Sequence, residues 1–304
     1  MSKWRTAVEA SLIAVIAGLM VVMFHLLGNT VEDVNSRSVF AWTVARWSDK
    51  ISFGSDYSHG WIIPLVSALA VWWRRKELAR APRRVAPAGL AIVAFALLLH
   101  WVGARIQQPR LSLMGLILLL WGIPYYFYGW QFARHLIFPA GYLIFCIPLN
   151  FLDSLTFPLR LLGSAMATGI LNGIGIPAVR SGSAIYSAAG GGFHFDVADP
   201  CSGLRSLLAM MALIGAYSWF TQKGLARKWL LFLLSVPVAI LTNVVRVTTI
   251  AIVAVTLGEE TALTIYHEYS GYVIFAAAVV MVLLLARLIN LDFRARWRQW
   301  THAT

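Results

Sequence analysis

Cys201 is the residue of this chain whose position best suits a nucleophile. It lies in the segment Asp199-Pro200-Cys201-Ser202-Gly203-Leu204-Arg205, where an apolar helix is predicted to begin with Asp199 as N-cap and Pro200 as its first residue. Unpaired backbone N–H groups and the positive end of the helix dipole favour the thiolate there. Asp199 opposes this effect, whereas Arg205 lies on the same helix face and assists it. A packing role for Cys201 is the alternative, because most cysteines in membrane helices are buried and inert.

A second candidate, Arg246, lies on the polar face of another predicted helix. Thr242, Asn243, Arg246 and Thr249 recur at spacings of three and four residues. Arg246 is too far from the predicted outer end of this helix, near Leu257, to be an ordinary boundary arginine. A charge near the bilayer centre costs about 2.5–3.5 kcal/mol, which favours a functional role. The alternative is snorkelling of the side chain to the outer interface.

A catalytic cysteine needs an acid or base partner, and seven histidines are available. His267 lies in the predicted outer loop before the last span, on the same side as Cys201. His194 is its strongest rival because it is close to Cys201 in sequence, and strand alternation leaves the direction of its side chain open. Thiol, imidazole and guanidinium together suit acyl transfer: the thiolate attacks a peptide carbonyl, the imidazole protonates the leaving amine, and the guanidinium stabilises the oxyanion or orients the thiolate.

Cys146, the other cysteine, lies within an apolar run beside Phe145 and Ile147 and is interpreted as structural. The two cysteines show neither CxxC spacing nor a Cys/His cluster. The sequence therefore indicates neither a disulfide framework nor a zinc site. We expect no metal and no cofactor.

These residues must be positioned by membrane helices. The 304-residue chain is 59% hydrophobic and 12% charged, and its mean hydropathy is +0.72. Such a composition is typical of a polytopic membrane protein, in which about 20 apolar residues form each spanning helix. Apolar runs predict eight spans, near residues 7–27, 59–74, 86–104, 111–130, 134–152, 202–220, 229–257 and 271–291.

Basic residues between the apolar runs predict the orientation. The net charge of +12 is concentrated in short clusters, of which the loop Arg74–Arg84 is the strongest cytoplasmic signal. The charge thus indicates topology, and nucleic acid is not an expected partner. If successive spans alternate in direction from this loop, both termini lie in the cytoplasm. Cys201 and His267 then lie near the outer surface of the cell (inner) membrane.

Residues 155–179 are apolar, but a ninth span would contradict the alternation. We therefore predict a broken interfacial or re-entrant helix on the outer side. After it, two alternating segments, 183–187 and 193–198, flank the glycine-rich stretch 188–192 and predict a β-hairpin. The predicted fold is a single domain over residues 1–304: an all-α polytopic membrane protein of about eight helices, an interfacial helix and a small extracytoplasmic hairpin.

Three short motifs, taken in order, resemble those of the exosortase/archaeosortase family. They are Cys201–Ser206, Asn243–Arg246 and His267–Gly271. The Ser58-His59-Gly60 segment and the Arg180–Val197 hairpin are also similar to that family. The resemblance covers most of the chain, and it is specific because order, spacing and sidedness agree.

The resemblance implies a membrane cysteine transpeptidase. Its substrates are membrane-anchored proteins with a C-terminal sorting signal, which in the bacterial branch is a Pro-Glu-Pro motif, a transmembrane helix and a basic tail. Cys201 would be the nucleophile, Arg246 the catalytic arginine and His267 the general acid/base. Arg205, Asn243, Ser202 and His194 are candidates for supporting or substrate-binding roles. The acceptor of the acyl group is unknown.

Two other functions are compatible with the same residues. A quinone-linked thiol oxidoreductase would use Cys146 with Cys201, although the lack of CxxC disfavours it. A transporter or channel would bind an anion with Arg246 and the Asn/Thr face of its helix.

Overall fold

The structure is a computed structural model, and it describes residues 3–28, 38–48, 57–148, 151–188, 193–196, 204–262 and 266–291. Its described residues form two compact units, 3–148 and 151–291. Both units are mostly helical, as the sequence predicted. The single domain over residues 1–304 stays a prediction.

The first unit contains eight α-helices in its described residues, several of them joined by short 3-10 or π turns. They are α1 (Lys3–Val21), α2 (Val39–Ser48), α3 (Ile63–Trp73), α4 (Arg75–Arg80), α5 (Pro87–Arg105), α6 (Pro109–Tyr128), α7 (Trp130–Ala133) and α8 (Ile137–Tyr142).

Glycines let α5 and α6 pack unusually closely. A Cβ added at Gly115 of α6 would lie 2.6 Å from the carbonyl oxygen of Ala96, and one added at Gly89 of α5 would meet the backbone of Tyr126. Membrane helices approach in this way through small residues, since lipid supplies no hydrophobic force between them. The two helices are therefore in close backbone contact within the first unit.

The second unit contains five helices and three strands in its described residues. They are α9 (Phe151–Gly173), β1 (Ala178–Ser181), β2 (Ala184–Ser187), β3 (His194–Asp196), α10 (Leu204–Thr221), α11 (Leu225–Leu257), α12 (Glu259–Thr261) and α13 (His267–Asn290). Helix α11 is central. One of its sides packs on α9 and the sheet through Val247 and Ile250, and another packs on α10 and α13 through Leu231 and Val238.

The sheet has the order β1-β2-β3, with both pairs antiparallel. Strands β2 and β3 confirm the predicted hairpin, and β1 adds a third strand, whose first two residues the sequence analysis had assigned to the preceding helix. Ile185 and Phe193 are buried against α9 and α11. The sheet is thus held at the C-terminal end of α11 by its apolar face.

Five described helices are long and apolar enough to cross a membrane, so the chain is a multi-pass membrane protein. They comprise residues 7–26, 87–105, 109–128, 225–257 and 269–290. The predicted count of eight spans is not confirmed. The predicted spans 59–74 and 134–152 are divided among short helical pieces, and the apolar part of α10 covers only Leu207–Thr221.

The predicted break within the helix over 155–179 is wrong, whereas its interfacial or re-entrant position stays a prediction. Helix α9 runs without interruption for 23 residues, from Phe151 to Gly173. It also lies along α11 in the same direction, with Gly163 beside Val244 and the α9 C-terminus beside the sheet. Gly163 contacts α11, whereas a Cβ added at Gly169 or Gly173 would meet no atom within 4 Å.

Candidate active site

Arg246 lies within the contact between α11 and α13. A Cβ added at Gly271 would be 3.3 Å from Nη2 of Arg246 and 3.5 Å from its Cζ. The guanidinium therefore rests on the bare backbone of Gly271. A side chain at residue 271 would occupy part of the space the guanidinium now uses.

The guanidinium borders a small cavity between α10, α11 and α13. Asn243 and Arg246 give it a polar wall, and Met210 and Phe275 give it apolar ones. Its volume of about 30 Å³ exceeds the roughly 10–15 Å³ that one water molecule requires. The cavity is thus large enough for water or a small polar group beside the guanidinium.

The threonines on the polar face of α11 bond to their own helix. Thr242 donates its hydroxyl hydrogen to the carbonyl oxygen of Val238 at 2.9 Å, and Thr249 donates to that of Arg246, also at 2.9 Å. Their hydroxyl hydrogens are therefore used within α11. The polar chemistry of the cavity wall depends mainly on Asn243 and Arg246.

Helices α10 and α13 both run antiparallel to α11. The end of α10 is joined to the start of α11 by a hydrogen bond from Ser218 Oγ to the carbonyl oxygen of Lys228, at 2.8 Å. Along α13, Gly271 is beside Arg246, whereas Ala286 packs near Leu231. The N-terminal ends of α10 and α13 consequently lie on the same side of the cavity.

His267 is the first residue of α13, whereas the sequence analysis placed it in a loop that ended before Gly271. That loop assignment is wrong, because the polar segment His267–Ser270 continues the apolar helix. Only the backbone of His267 is described. It lies four residues before Gly271, one turn and about 6 Å along the helix axis.

Cys201 and Ser202 lie outside the described residues. Helix α10 begins three residues after Cys201, at Leu204, and Arg205 is its second residue, with a side chain outside the described part. The helix reaches the cavity at Met210. The start of α10 is therefore about 9 Å from the cavity along the helix axis.

His194, the rival base, is the first residue of β3 and is exposed. Its ring stacks on Tyr186 with centroids 4.6 Å apart, and its backbone N–H donates to Glu259 at 3.1 Å. Strand alternation places it on the sheet face opposite to the buried Phe193. The histidine backbone thus connects the sheet to α12.

Cys146 is buried in the first unit. Its thiol donates to the carbonyl oxygen of Leu143 at 2.9 Å, and only 8% of the residue is exposed. This environment agrees with the packing role predicted for it. In the described part of the chain, no three or more His, Cys, Asp or Glu residues are grouped so that they could hold a metal ion.

Gly271 is the site residue whose role the sequence analysis missed. It was noted only as the end of the His267–Gly271 motif. The available signal was its spacing, since residues 267 and 271 share one face of a helix only if the helix begins at His267. A loop assignment for this segment concealed that relation.

Comparison with known proteins identifies the family. The model of the transmembrane exosortase family (Exosortase_EpsH) matches residues 47–284, which is more than half of the chain. No curated protein and no solved structure matches. The matched region includes Cys201, Arg246 and His267, as well as most of both units. The chain belongs to the transmembrane exosortase family.

Proposed function

We propose that this protein is a membrane cysteine transpeptidase that cleaves the C-terminal sorting signal of exported proteins and transfers them to an acceptor. Family membership supports the protein-sorting class. The main support for the proposed site is the contact of the Arg246 guanidinium with the backbone of Gly271, one helical turn from His267. An arginine enclosed by protein next to a cavity suits an oxyanion better than a lipid phosphate.

The reaction proceeds in two acyl transfers. The Cys201 thiolate attacks the scissile carbonyl carbon, and the tetrahedral oxyanion is stabilised by Arg246. His267 protonates the leaving amine, so the C–N bond breaks and a thioester remains on Cys201. An acceptor nucleophile, or water, then gives up its proton to His267 and displaces the thiol.

The direction of α10 and α13 supports this chemistry. Both helices begin on the same side of the cavity, and the N-terminal end of a helix carries about half a positive charge. In this proposal the start of α10 favours a thiolate at Cys201, with Arg205 offsetting Asp199, and Arg246 stabilises the oxyanion. In this proposal the trio acts within the second unit of the chain.

Supporting residues have distinct roles in this proposal. Asn243 shares the cavity wall with Arg246 and donates a second hydrogen bond to the oxyanion. Arg205 and Ser202 flank the nucleophile at the start of α10, where Arg205 counters Asp199. His194 binds substrate at the sheet and does not act as the base.

The substrate shares the bilayer with the enzyme. By the positive-inside rule, the loop Arg74–Arg84 lies on the cytoplasmic side of the cell (inner) membrane. The starts of α10 and α13 then lie on the outer side. A substrate held by its own transmembrane tail presents its cleavage site at this level. Confinement to the membrane raises its effective concentration.

The test is to isolate the acyl-enzyme. A reporter with a tripartite sorting tail is incubated with membranes containing wild-type protein, Cys201→Ala or the matched control Cys146→Ala. We expect a mass-shifted thioester on residue 201 in wild type and Cys146→Ala, none in Cys201→Ala, and a longer thioester lifetime in His267→Ala. Full processing by Cys201→Ala would refute the proposal, and retained activity in Cys201→Ser would favour the transporter alternative.

A further inference from the structure

An open groove lies on the surface of the first unit, formed by α3, α4, α7 and the segment after α4. Four apolar side chains form its floor: Val71, Trp72, Leu78 and Phe132. Two alanines, Ala68 and Ala79, and two arginines, Arg75 and Arg83, complete its lining. The volume of about 470 Å³ lies within the range of roughly 300–1,000 Å³ that is usual for small-molecule sites.

Arg75 is held in place at the edge of this groove. Its guanidinium carbon is 3.9 Å from the centroid of the Trp72 ring, and its Nη1 donates to the carbonyl oxygen of Trp72 at 3.0 Å. Stacking on an aromatic ring orients a guanidinium, so less entropy is lost when an anion binds. The contact with Trp72 thus fixes the plane of the Arg75 guanidinium and the directions of its remaining N–H groups.

Arg83 is held by a different set of contacts. Its guanidinium carbon lies 4.8 Å from the centroid of the Tyr128 ring, and its Nη1 is 3.3 Å from Glu9 Oε2. The ion pair with Glu9 is exposed, and such pairs contribute little. The segment that carries Arg83 is fixed to α6 by hydrogen bonds from the backbone N–H groups of Arg84 and Ala86.

The surrounding charge is strongly positive. Residues 74–84 contain six basic side chains and one acidic side chain, Glu77. The positive-inside rule places this cluster at the cytoplasmic leaflet, where anionic lipids are available. An apolar floor beside two ordered guanidinium groups matches one class of molecule, in which an acyl chain and a phosphate are joined.

We propose that this groove binds an anionic phospholipid of the cytoplasmic leaflet. An acyl chain covers Trp72 and Phe132, and the phosphate accepts hydrogen bonds from Arg75 and Arg83. A soluble phosphate would leave the apolar floor exposed to water, and a basic peptide segment would be repelled by the cluster. The site is in the first unit and does not depend on the proposed chemistry of the second.

The proposal is tested on the full chain in detergent by native mass spectrometry. Phosphatidylglycerol and phosphatidylcholine with identical acyl chains are titrated separately. The wild type is expected to bind phosphatidylglycerol more tightly by at least tenfold. The double variant Arg75→Gln/Arg83→Gln is expected to lose about 25-fold in affinity for phosphatidylglycerol, at about fivefold for the hydrogen bond that each arginine gives to the phosphate.

Two matched controls distinguish a site from general charge attraction. Arg80→Gln/Arg84→Gln removes the same charge from the same cluster without changing the lining, and it is expected to lose less than threefold. Trp72→Leu is expected to lower the preference for phosphatidylglycerol, whereas Trp73→Leu, next along α3, leaves it unchanged. Equal losses in the two arginine variants, or equal binding of both lipids by wild type, would overturn the proposal.

Discussion

Replacement of Gly271 by alanine tests whether the backbone at this position seats the Arg246 guanidinium. The added Cβ would be 3.3 Å from Nη2 and 3.5 Å from Cζ. Favourable separations between such atoms are about 3.5–4.0 Å, so the guanidinium must shift by roughly 0.2–0.5 Å. The displaced group is the end of a flexible side chain, so the fold can absorb the change.

Catalysis responds more steeply than stability to such a shift. A displacement of 1 Å at a catalytic group lowers the rate about 100-fold. A shift of a few tenths of an ångström is therefore expected to lower the cleavage rate of Gly271→Ala by about threefold to tenfold. Gly271→Val adds two further methyl groups and is expected to lose more than 100-fold. Stability should not fall for the alanine variant, because alanine favours a helix over glycine by about 1 kcal/mol.

The assay is the initial rate of sorting-tail cleavage at a known amount of folded enzyme in membranes. Gly169→Ala is the matched control, since a Cβ there meets no atom within 4 Å. It makes the same substitution within a helix and should retain the wild-type rate. A wild-type rate in Gly271→Ala would refute the reasoning, as would a loss explained entirely by less folded protein.

Three further substitutions test the site and the fold. Arg246→Lys keeps the charge but loses the planar fork, and the cleavage rate is expected to fall by about 10²–10³-fold at unchanged expression. Gly115→Ala introduces a Cβ 2.6 Å from a backbone oxygen of the facing helix. It should lower the free energy of unfolding by about 1–3 kcal/mol in a thermal unfolding assay. The control Gly141→Ala adds a Cβ that meets no atom within 4 Å and should leave the stability unchanged. Ile185→Ala removes a fully buried side chain of the sheet and should lower the free energy of unfolding by about 2–5 kcal/mol. The exposed control Val179→Ala should lower it by less than about 0.5 kcal/mol. Equal melting temperatures of the two variants would contradict the packing described.

The sequence alone identified the class of protein and the family. Long apolar runs predict membrane helices because each must satisfy its own backbone hydrogen bonds in lipid. The hairpin was also predictable, since alternation around a glycine-rich turn is a local property. The motifs around Cys201, Arg246 and His267 carried the family resemblance, which the match over residues 47–284 then confirmed.

Helix boundaries were less predictable than helix existence. Residues His267–Ser270 are polar or aromatic, so hydropathy ended the last span at Gly271 although the backbone is helical from His267. Helix α9 was expected to be broken because glycine and proline disrupt isolated helices. In the structure Gly163 and Ala167 pack towards α11, and the helix continues through Pro158 and the exposed Gly169.

Only the tertiary structure decided what surrounds each charged group. The sequence identified Arg246 as a deep cation, but the residue that receives its guanidinium is Gly271, on a helix that begins ten residues after α11 ends. The stacking of Arg75 on Trp72 is a local contact, whereas the groove beside it requires Phe132 from a distant segment. Hydropathy and spacing specify which faces of a helix are apolar or polar. The choice of neighbour depends on the shapes of facing surfaces, and those exist only once the helices have packed.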